Sequence, residues 1–261
     1  MQQEIKALEE NQTLTLEYLP SGKHAIDSKW VYKIKYNSDG TIERFKARLV
    51  AKAFTQVEGL DYHDTFAPVA KLTTLRCVLA MDAVRHWELH QLDINNAFLH
   101  GDLHEEVYMK IPQGFAKPGD NRVCRLRKSL YGLKQASRNW FQTFSSCLQN
   151  IGFSQFAVDN SLFMFTSGAH FTILLVYVND VILARNDSTT INRVKHHLDS
   201  AFRIKDLRQL KYFLSIEVAR SKEGILFSQR KYTLDLLKEI GHLVARLANF
   251  PMEQRYNLAA G

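Results

Sequence analysis

A polar pair that interrupts an apolar stretch restricts most strongly how this chain can fold. Residues 174–183 have the sequence Leu-Leu-Val-Tyr-Val-Asn-Asp-Val-Ile-Leu, so Asn179 and Asp180 separate two apolar runs. Two such runs joined by a tight polar turn predict antiparallel strands folded back on each other, with an acid at the tip. A second acid, Asp93, ends the apolar stretch 89–94. Two strand-end carboxylates that converge are suited to magnesium-dependent phosphoryl transfer, because Mg²⁺ prefers oxygen ligands and bridges phosphates.

The residue before Asp180, Asn179, is less suited to this chemistry than an acid would be. Asn179 stands where a third carboxylate would complete a two-metal site, and an amide oxygen binds Mg²⁺ without contributing negative charge. A purely structural interpretation is also open, because Asn and Asp are frequent turn residues. Asp93, followed by Asn95 and Asn96, could likewise mark the entry to a loop.

Composition narrows the class of protein and of partner. The 261 residues contain 34 basic and 27 acidic side chains, a net charge of +7 with a pI near 9.2, which mildly favours a polyanionic partner. The isolated cysteines have no zinc-knuckle spacing, and their odd number argues against a complete disulfide framework. Together with a polar start and no apolar run of about 18 residues, this predicts an intracellular protein, cytoplasmic or nuclear, with no signal peptide and no membrane partner.

A basic hairpin is predicted near the amino terminus. Residues Trp30–Tyr36 alternate as in a strand, residues 37–40 form a turn signal, and residues Ile42–Ala53 return as a second strand. Its charge is compatible with a solvated surface or with a flap that covers phosphates. The cations on this element are Lys33, Lys35, Arg44, Lys46, Arg48 and Lys52.

The remaining periodicities predict a mixture of helices and strands without regular βαβ alternation, which indicates an α+β fold. The predicted helices are 73–86, 136–150, 189–202 and 231–240. Further predicted strands are 161–165, 171–178, 212–219 and 224–227.

Several ordered motifs extend these local patterns. They are Trp30–Tyr36, Lys46–Lys52, Phe66–Ala70, Gln91–Leu103, Ser129–Gln135, Tyr177–Asp180 and Tyr212–Val218. Together the motifs resemble the reverse transcriptase domain of Ty1/copia-type retrotransposons, and the likeness runs from about residue 5 to residue 255.

The resemblance implies a polymerase right hand, in which an antiparallel palm sheet is backed by helices. The implied divisions are a lead-in segment, a fingers-like region with the basic hairpin, a palm with an interleaved fingers segment, and a short or incomplete thumb. Their boundaries are 1–28, 29–90, 91–220 and 221–261. The implied activity is RNA-directed DNA polymerisation, with two Mg²⁺ ions expected and Mn²⁺ as a substitute.

Residue roles carry over from the matching motifs. Asp93, Asp180 and the backbone carbonyl of Ile94 match metal-binding positions, with Asn179 as the degenerate catalytic position. Phe98 matches the bulky residue that excludes a ribose 2′-hydroxyl, the group that distinguishes RNA from DNA sugars. The other implied substrate-binding residues are Tyr131, Gly132, Gln135, Lys46 and Arg48.

The implied partners are an RNA template, a DNA primer and deoxynucleoside triphosphates. The protease, integrase and ribonuclease H that accompany such domains in a Pol polyprotein have no recognisable counterpart in the sequence. Because Asn179 removes a charge from the metal site, our hypothesis is that polymerase activity is absent or very weak. The alternatives are a non-catalytic nucleic-acid-binding remnant and a decayed fragment of the retroelement.

Overall fold

The computed structural model describes residues 1–37, 39–85, 87–168, 170–185, 188–221 and 224–245, with the backbone alone for 188–190. The chain divides into two compact units, residues 1–209 and 210–261. The four-part division predicted from the sequence has different boundaries and stays a prediction.

The described residues form helices and strands in an irregular order. The α-helices are α1 (Gln2–Glu10), α2 (Leu72–Arg85), α3 (Ala136–Asn150), α4 (Ser188–Phe202) and α5 (Arg230–Glu239), with 3-10 helices at Ala53–Thr55 and Ala97–His100. The strands of the first unit are β1 (Leu14–Glu17), β2 (Ala25–Ile26), β3 (Ser28–Tyr36), β4 (Ile42–Ala51), β5 (Glu88–Ile94), β6 (Tyr108–Lys110), β7 (Val123–Leu126), β8 (Ser154–Gln155), β9 (Leu162–Ser167), β10 (His170–Tyr177), β11 (Asp180–Arg185) and β12 (Ile204–Gln209). Those of the second unit are β13 (Tyr212–Phe213), β14 (Ile216–Arg220) and β15 (Ile225–Ser228).

A six-stranded antiparallel sheet is the centre of the first unit. Its strand order is β12-β5-β11-β10-β9-β8. Side chains on one face of the sheet form a single apolar core with α3 and α4, since successive strand residues point to opposite faces. The members of this core include Leu92, Ile94, Val181, Leu183, Trp140, Phe144, Leu148, Val194, Leu198 and Phe202.

A smaller sheet in the same unit has the strand order β1-β7-β6-β2 and packs with α1 and the end of β4. Leu8 of α1 and Ile26 of β2 are both buried in this second core. The segment that the sequence suggested as a lead-in therefore contains a helix and short strands that belong to the folded unit.

The basic hairpin is present as the two-stranded sheet β3–β4. The pairs Lys33–Lys46 and Lys35–Arg44 lie directly opposite each other, and Val31 pairs with Arg48. Residues directly opposite in an antiparallel pair share a face. One face of the hairpin is therefore basic.

The second unit contains the sheet β13-β14-β15 and helix α5. The continuous strand predicted for 212–219 is wrong, because Leu214 and Ser215 both have positive φ, 48° and 64°, and turn the chain between β13 and β14. The α+β class and the helices α2 to α5 are confirmed to within a residue or two at their described ends. No helix in the described ranges is long and apolar enough to cross a membrane.

Candidate active site

Asp93 and Asp180 are neighbours across two strands of the central sheet. Asp93 lies near the end of β5, Asp180 is the first residue of β11, and their Cα atoms are register partners. Leu92, Ile94 and Val181 point into the helix-packed core, so strand alternation directs both carboxylates to the opposite face. The structure thus brings together the two acids that the sequence predicted to converge.

The turn that carries Asp180 has an unusual backbone. Its two loop residues are Val178 and Asn179, and Val178 has φ of 54° although it is β-branched. A positive φ at the first loop position is usually occupied by glycine, and a side chain there costs about 1–3 kcal/mol. The Trp140 indole donates a 2.7 Å hydrogen bond to the Val178 carbonyl, and the Ile94 N–H donates a 2.8 Å bond to the Asn179 carbonyl. These contacts from α3 and β5 hold the turn against the sheet.

Asn179 contacts the first carboxylate directly. Its Nδ2 donates a 2.5 Å hydrogen bond to Asp93 Oδ1. One oxygen of Asp93 is therefore engaged by a neutral amide. A third carboxylate at position 179 would add negative charge instead of donating this bond.

The proximity of Asp93 makes the ionisation of Asp180 less favourable. Burial raises the pKa of Asp180, and the negative charge of Asp93 raises it further, while a 3.5 Å hydrogen bond from Gln91 Nε2 acts weakly in the opposite direction. Two carboxylates that share a half-buried position favour a bound cation or a shared proton, because either relieves their repulsion.

The donor set fits one hard divalent cation. The Asp93 and Asp180 carboxylates, with the nearby Ile94 carbonyl, are oxygen donors of the class that Mg²⁺ prefers. Within the described ranges, no group of three or more His, Cys, Asp or Glu side chains is placed to hold a metal ion. Among the described residues, Asp93 and Asp180 therefore form a pair of acidic donors and not a group of three, and position 179 carries a neutral amide.

An aromatic and basic cluster follows the carboxylates along the chain. Phe98, in the 3-10 helix after β5, packs against Tyr131 with ring centroids 4.9 Å apart. The Arg48 guanidinium lies 4.0 Å from the centre of the Tyr131 ring. Burial raises the pKa of Tyr131, the Arg48 charge lowers it, and the charges of Glu4 and Asp93 raise it.

Two cations of β4 have features suited to an anionic ligand. Burial lowers the pKa of Lys46, and the like charges of Arg48, Lys35 and Arg44 lower it further. Arg48 Nε is buried and has no hydrogen-bond partner within the described part of the protein. Lys46 and Arg48 are thus crowded by positive charge, which a bound phosphate would relieve.

Gly132 and Gln135 join the segment 129–135 to other parts of the first unit. Gly132 has φ of 91°, and a Cβ atom there would lie 2.6 Å from Val50 Cγ1 and closer still to the Ala51 carbonyl oxygen. The Gln135 side chain is fully buried; it accepts a 3.1 Å hydrogen bond from Gln56 Nε2 and donates a 2.8 Å bond to the Asp61 carbonyl. The substrate-binding roles predicted for both residues stay predictions.

Comparison with known proteins identifies the family. The model of the family described as reverse transcriptase (RNA-dependent DNA polymerase) matches residues 11–254. The chain belongs to the reverse transcriptase family. The match covers most of the chain and includes every residue discussed at the site except Glu4.

Similar proteins agree with this assignment. The Pol polyprotein from transposon RE1 of Arabidopsis thaliana is 45% identical over 234 residues, which are 89% of this chain and 16% of the relative. The Pol polyprotein from transposon TNT 1-94 of Nicotiana tabacum is 38% identical over 99% of this chain and 20% of the relative. The Gag-Pol polyprotein of transposon Ty1-H from Saccharomyces cerevisiae is 32% identical over 63% of this chain and 9% of the relative. The Ty1/copia-type resemblance is confirmed, and this chain spans only a small part of the length of each of these polyproteins.

Two charged residues beside the site of this reverse transcriptase domain were missed from the sequence. Lys205 of β12 is the register partner of Asp93, so Asp180, Asp93 and Lys205 form a row on one face across three strands. Glu4 of α1 is buried, and its carboxylate accepts a hydrogen bond from the N–H of Leu49, the residue that follows Arg48 in β4. No local sequence pattern marks Lys205 or Glu4 as a site residue. The strand that carries Lys205 was not predicted, and Glu4 lies in a segment that was interpreted as a polar lead-in.

Proposed function

We propose that this chain is the RNA-directed DNA polymerase domain of a copia-type Pol polyprotein. Its substrates would be deoxynucleoside triphosphates and an RNA template paired with a DNA primer, and it would work beside the rest of the polyprotein. The observation that supports this best is the pairing of Asp93 with Asp180 on the face of the central sheet opposite α3 and α4. The six-stranded sheet would then be the palm of a right hand, and the β3–β4 hairpin would be part of the fingers.

Each residue of the site has a distinct proposed task. Asp93, Asp180 and the Ile94 carbonyl would hold Mg²⁺ or Mn²⁺, which when bound neutralises phosphate charge and lowers the pKa of the primer 3′-hydroxyl. Phe98, fixed against Tyr131, would exclude a ribose 2′-hydroxyl by its bulk.

The nucleotide phosphates would be bound from the hairpin. Lys46 and Arg48 share its basic face, and Arg48 is already positioned on the Tyr131 ring at 4.0 Å. A guanidinium held in this way forms two parallel hydrogen bonds to a phosphate with little further ordering. The hairpin would therefore deliver positive charge to the same region as the metal-binding carboxylates.

Asn179 should make the domain a slow polymerase. The missing charge lies in a half-buried site, where losing one electrostatic stabiliser of a transition state costs about 10²–10³-fold in rate. We expect Asn179→Asp to raise the rate by about this factor, since it replaces the amide that engages Asp93 with a third carboxylate. Primer extension on an RNA template with Mg²⁺ or Mn²⁺ measures this.

Asp93→Ala is the matched control in that assay, because it removes a charge from the same face. It should show no extension in either background, that is, alone or together with Asn179→Asp. Equal extension by the starting chain and the Asn179→Asp variant would contradict the role given to position 179. Extension that survives Asp93→Ala would contradict the polymerase proposal itself.

A second candidate function is supported by the basic face of the hairpin alone. A chain that binds nucleic acid through this face without incorporating nucleotides would need Lys33, Lys35, Arg44, Lys46 and Arg48, but neither carboxylate. The two candidates differ in the Asn179→Asp variant, which restores synthesis only in the first.

A further inference from the structure

Glu4 is a buried carboxylate at the outer edge of the basic hairpin. It is 9% exposed, and its Oε1 accepts a hydrogen bond from the Leu49 N–H at 3.4 Å. Two residues further along β4, the Ala51 N–H donates a 2.7 Å bond to the Tyr131 carbonyl. Alternate N–H groups of a strand point to the same side, so Glu4 and the Tyr131 loop occupy neighbouring positions along one edge of β4.

Glu4 is bound to the backbone next to Arg48 and interacts electrostatically with both cations assigned to nucleotide phosphates. Burial raises the pKa of Glu4, while the Leu49 N–H and the charges of Arg48 and Lys46 lower it. The charge of Glu4 in turn raises the pKa of Lys46. Across the described residues, neither cation has a carboxylate within 4.0 Å. Glu4 therefore acts on both cations through space and leaves their donors available.

We propose that Glu4 is a positioning residue that controls how strongly Lys46 and Arg48 bind the phosphates of an incoming nucleotide. This inference rests on the proposed function, which assigns those phosphates to the two cations. When no ligand is bound, the negative charge of an ionised Glu4 stabilises the positive charges of Lys46 and Arg48. The same negative charge repels an arriving polyphosphate. A protonated Glu4 removes the repulsion, so phosphate binding and proton uptake by Glu4 are coupled.

The simpler explanation is that Glu4 only provides an acceptor for an edge N–H. Glu4→Gln separates the two explanations, because the glutamine carbonyl still accepts from Leu49 while the charge is lost. Glu9→Gln is the matched control, since it removes the same charge from an exposed position on the same helix.

Inorganic tripolyphosphate is the appropriate probe, because it needs no template, base or sugar. Its affinity would be measured by calorimetry at fixed ionic strength between pH 5 and pH 8. We expect Glu4→Gln to bind about tenfold more tightly than the unaltered chain at pH 8, the effect of one nearby and partly screened charge. Glu9→Gln should bind like the unaltered chain.

The pH dependence gives a second, independent readout. The charged and titratable groups that interact electrostatically with Glu4 are the Met1 amino group, Lys46, Arg48 and Tyr131. Protonation of tripolyphosphate affects both proteins equally, so it drops out of the ratio between the affinities of the Glu4→Gln variant and the unaltered chain. This ratio should fall towards one as the pH drops through the raised pKa of Glu4, because protonated Glu4 is uncharged like glutamine. In the unaltered chain, the ¹³C shift of the Glu4 carboxyl should show proton uptake when tripolyphosphate is added.

Three results would overturn the inference. They are equal affinity of Glu4→Gln and the unaltered chain at pH 8, equal gains for Glu4→Gln and Glu9→Gln, and no binding by any of the three proteins. Primer extension is scored separately. If the unaltered chain binds tripolyphosphate as expected but neither it nor the Asn179→Asp variant extends a primer, the proposed function is contradicted and the role of Glu4 in phosphate binding remains supported.

Discussion

At residue 132 the backbone has φ of 91° and lies directly against β4. Gly132→Ala adds a methyl group that must displace the Ala51 carbonyl and Val50, in addition to the strain of a left-handed conformation. We expect it to lower the free energy of unfolding by about 1–3 kcal/mol more than the strain alone. Urea denaturation measures this loss.

Gly40→Ala is the control for this prediction. Gly40 has φ of 87°, nearly the same as Gly132, but a Cβ there would meet no atom within 4 Å. It therefore carries the backbone strain without the clash. If the two variants lost the same free energy of unfolding, the close contact between Gly132 and β4 would not contribute to the effect of Gly132→Ala.

Individual site residues could be named from the sequence, whereas their geometry could not. Asp93 and Asp180 end apolar runs, which is a local pattern, and the order of the motifs identifies their family. The hydrogen bond from Asn179 to Asp93 and the buried Nε of Arg48 depend on contacts between segments distant in sequence. Glu4 lies 89 residues before Asp93, and no spacing rule connects the two.

At the scale of elements, Asp159 joins the start of α2 to the segment before β9. Its carboxylate accepts hydrogen bonds from Thr74 Oγ1 at 2.5 Å and from the Ser161 hydroxyl at 2.6 Å, and it is 4% exposed. Burial raises the pKa of Asp159, but the hydrogen bonds from Ser161, Thr74 and Lys71 outweigh it, so the net pKa is lowered. The ionised form is therefore favoured in the folded state.

A lowered pKa in the folded state fixes the sign of the pH effect. The stabilisation by Asp159 is complete above the pKa of the unfolded chain, about 3.9, and is lost as the pH falls through the folded value. We expect Asp159→Asn to cost about 1–3 kcal/mol at pH 7. The difference from the unaltered chain should shrink below about pH 4 in urea titrations at several pH values.

Asp64→Asn is a suitable comparison, because its carboxylate is 77% exposed and forms an ion pair with Arg138 at 3.5 Å. It should change the free energy of unfolding by less than about 0.5 kcal/mol, both at pH 7 and below about pH 4. If Asp159→Asn lowered the free energy of unfolding by the same amount at every pH, the negative charge of Asp159 would make no contribution to stability.

The elements themselves were predictable where periodicity was strong. The boundaries of α3 match the prediction because its apolar residues repeat at helical spacing on one buried side. The turn at Leu214 and Ser215 was missed because neither residue is typical of positive φ. The helix α1 was missed because its buried residues are few, and they gain their meaning from packing against β4.

At the scale of the whole molecule, the net charge of +7 is concentrated in part on the basic face of the β3–β4 hairpin. If five phosphates are contacted there, the affinity for duplex nucleic acid should fall about 10²–10³-fold between 50 and 200 mM salt. The variant Lys33→Ala with Lys35→Ala should reduce the slope of log affinity against log salt by about two. Fluorescence anisotropy of a labelled duplex measures the slope.

The variant Lys231→Ala with Lys238→Ala removes the same charge from α5 in the second unit. Its slope should remain that of the unaltered chain. An equal reduction in both variants would indicate binding through net charge alone, without a preferred surface.

The turn between β10 and β11 connects the site to the interior of the protein. Val178 has an unfavourable backbone angle, and the turn that contains it is held in part by the indole of Trp140, itself 1% exposed, which donates to the Val178 carbonyl. The turn that begins β11 at Asp180 is therefore supported in part by a ring of α3, which lies in the core on the other face of the sheet. If the proposed polymerase function holds, substitutions that loosen the packing around Trp140 should slow primer extension even in the Asn179→Asp variant, because the buried core and the acidic pair share this turn.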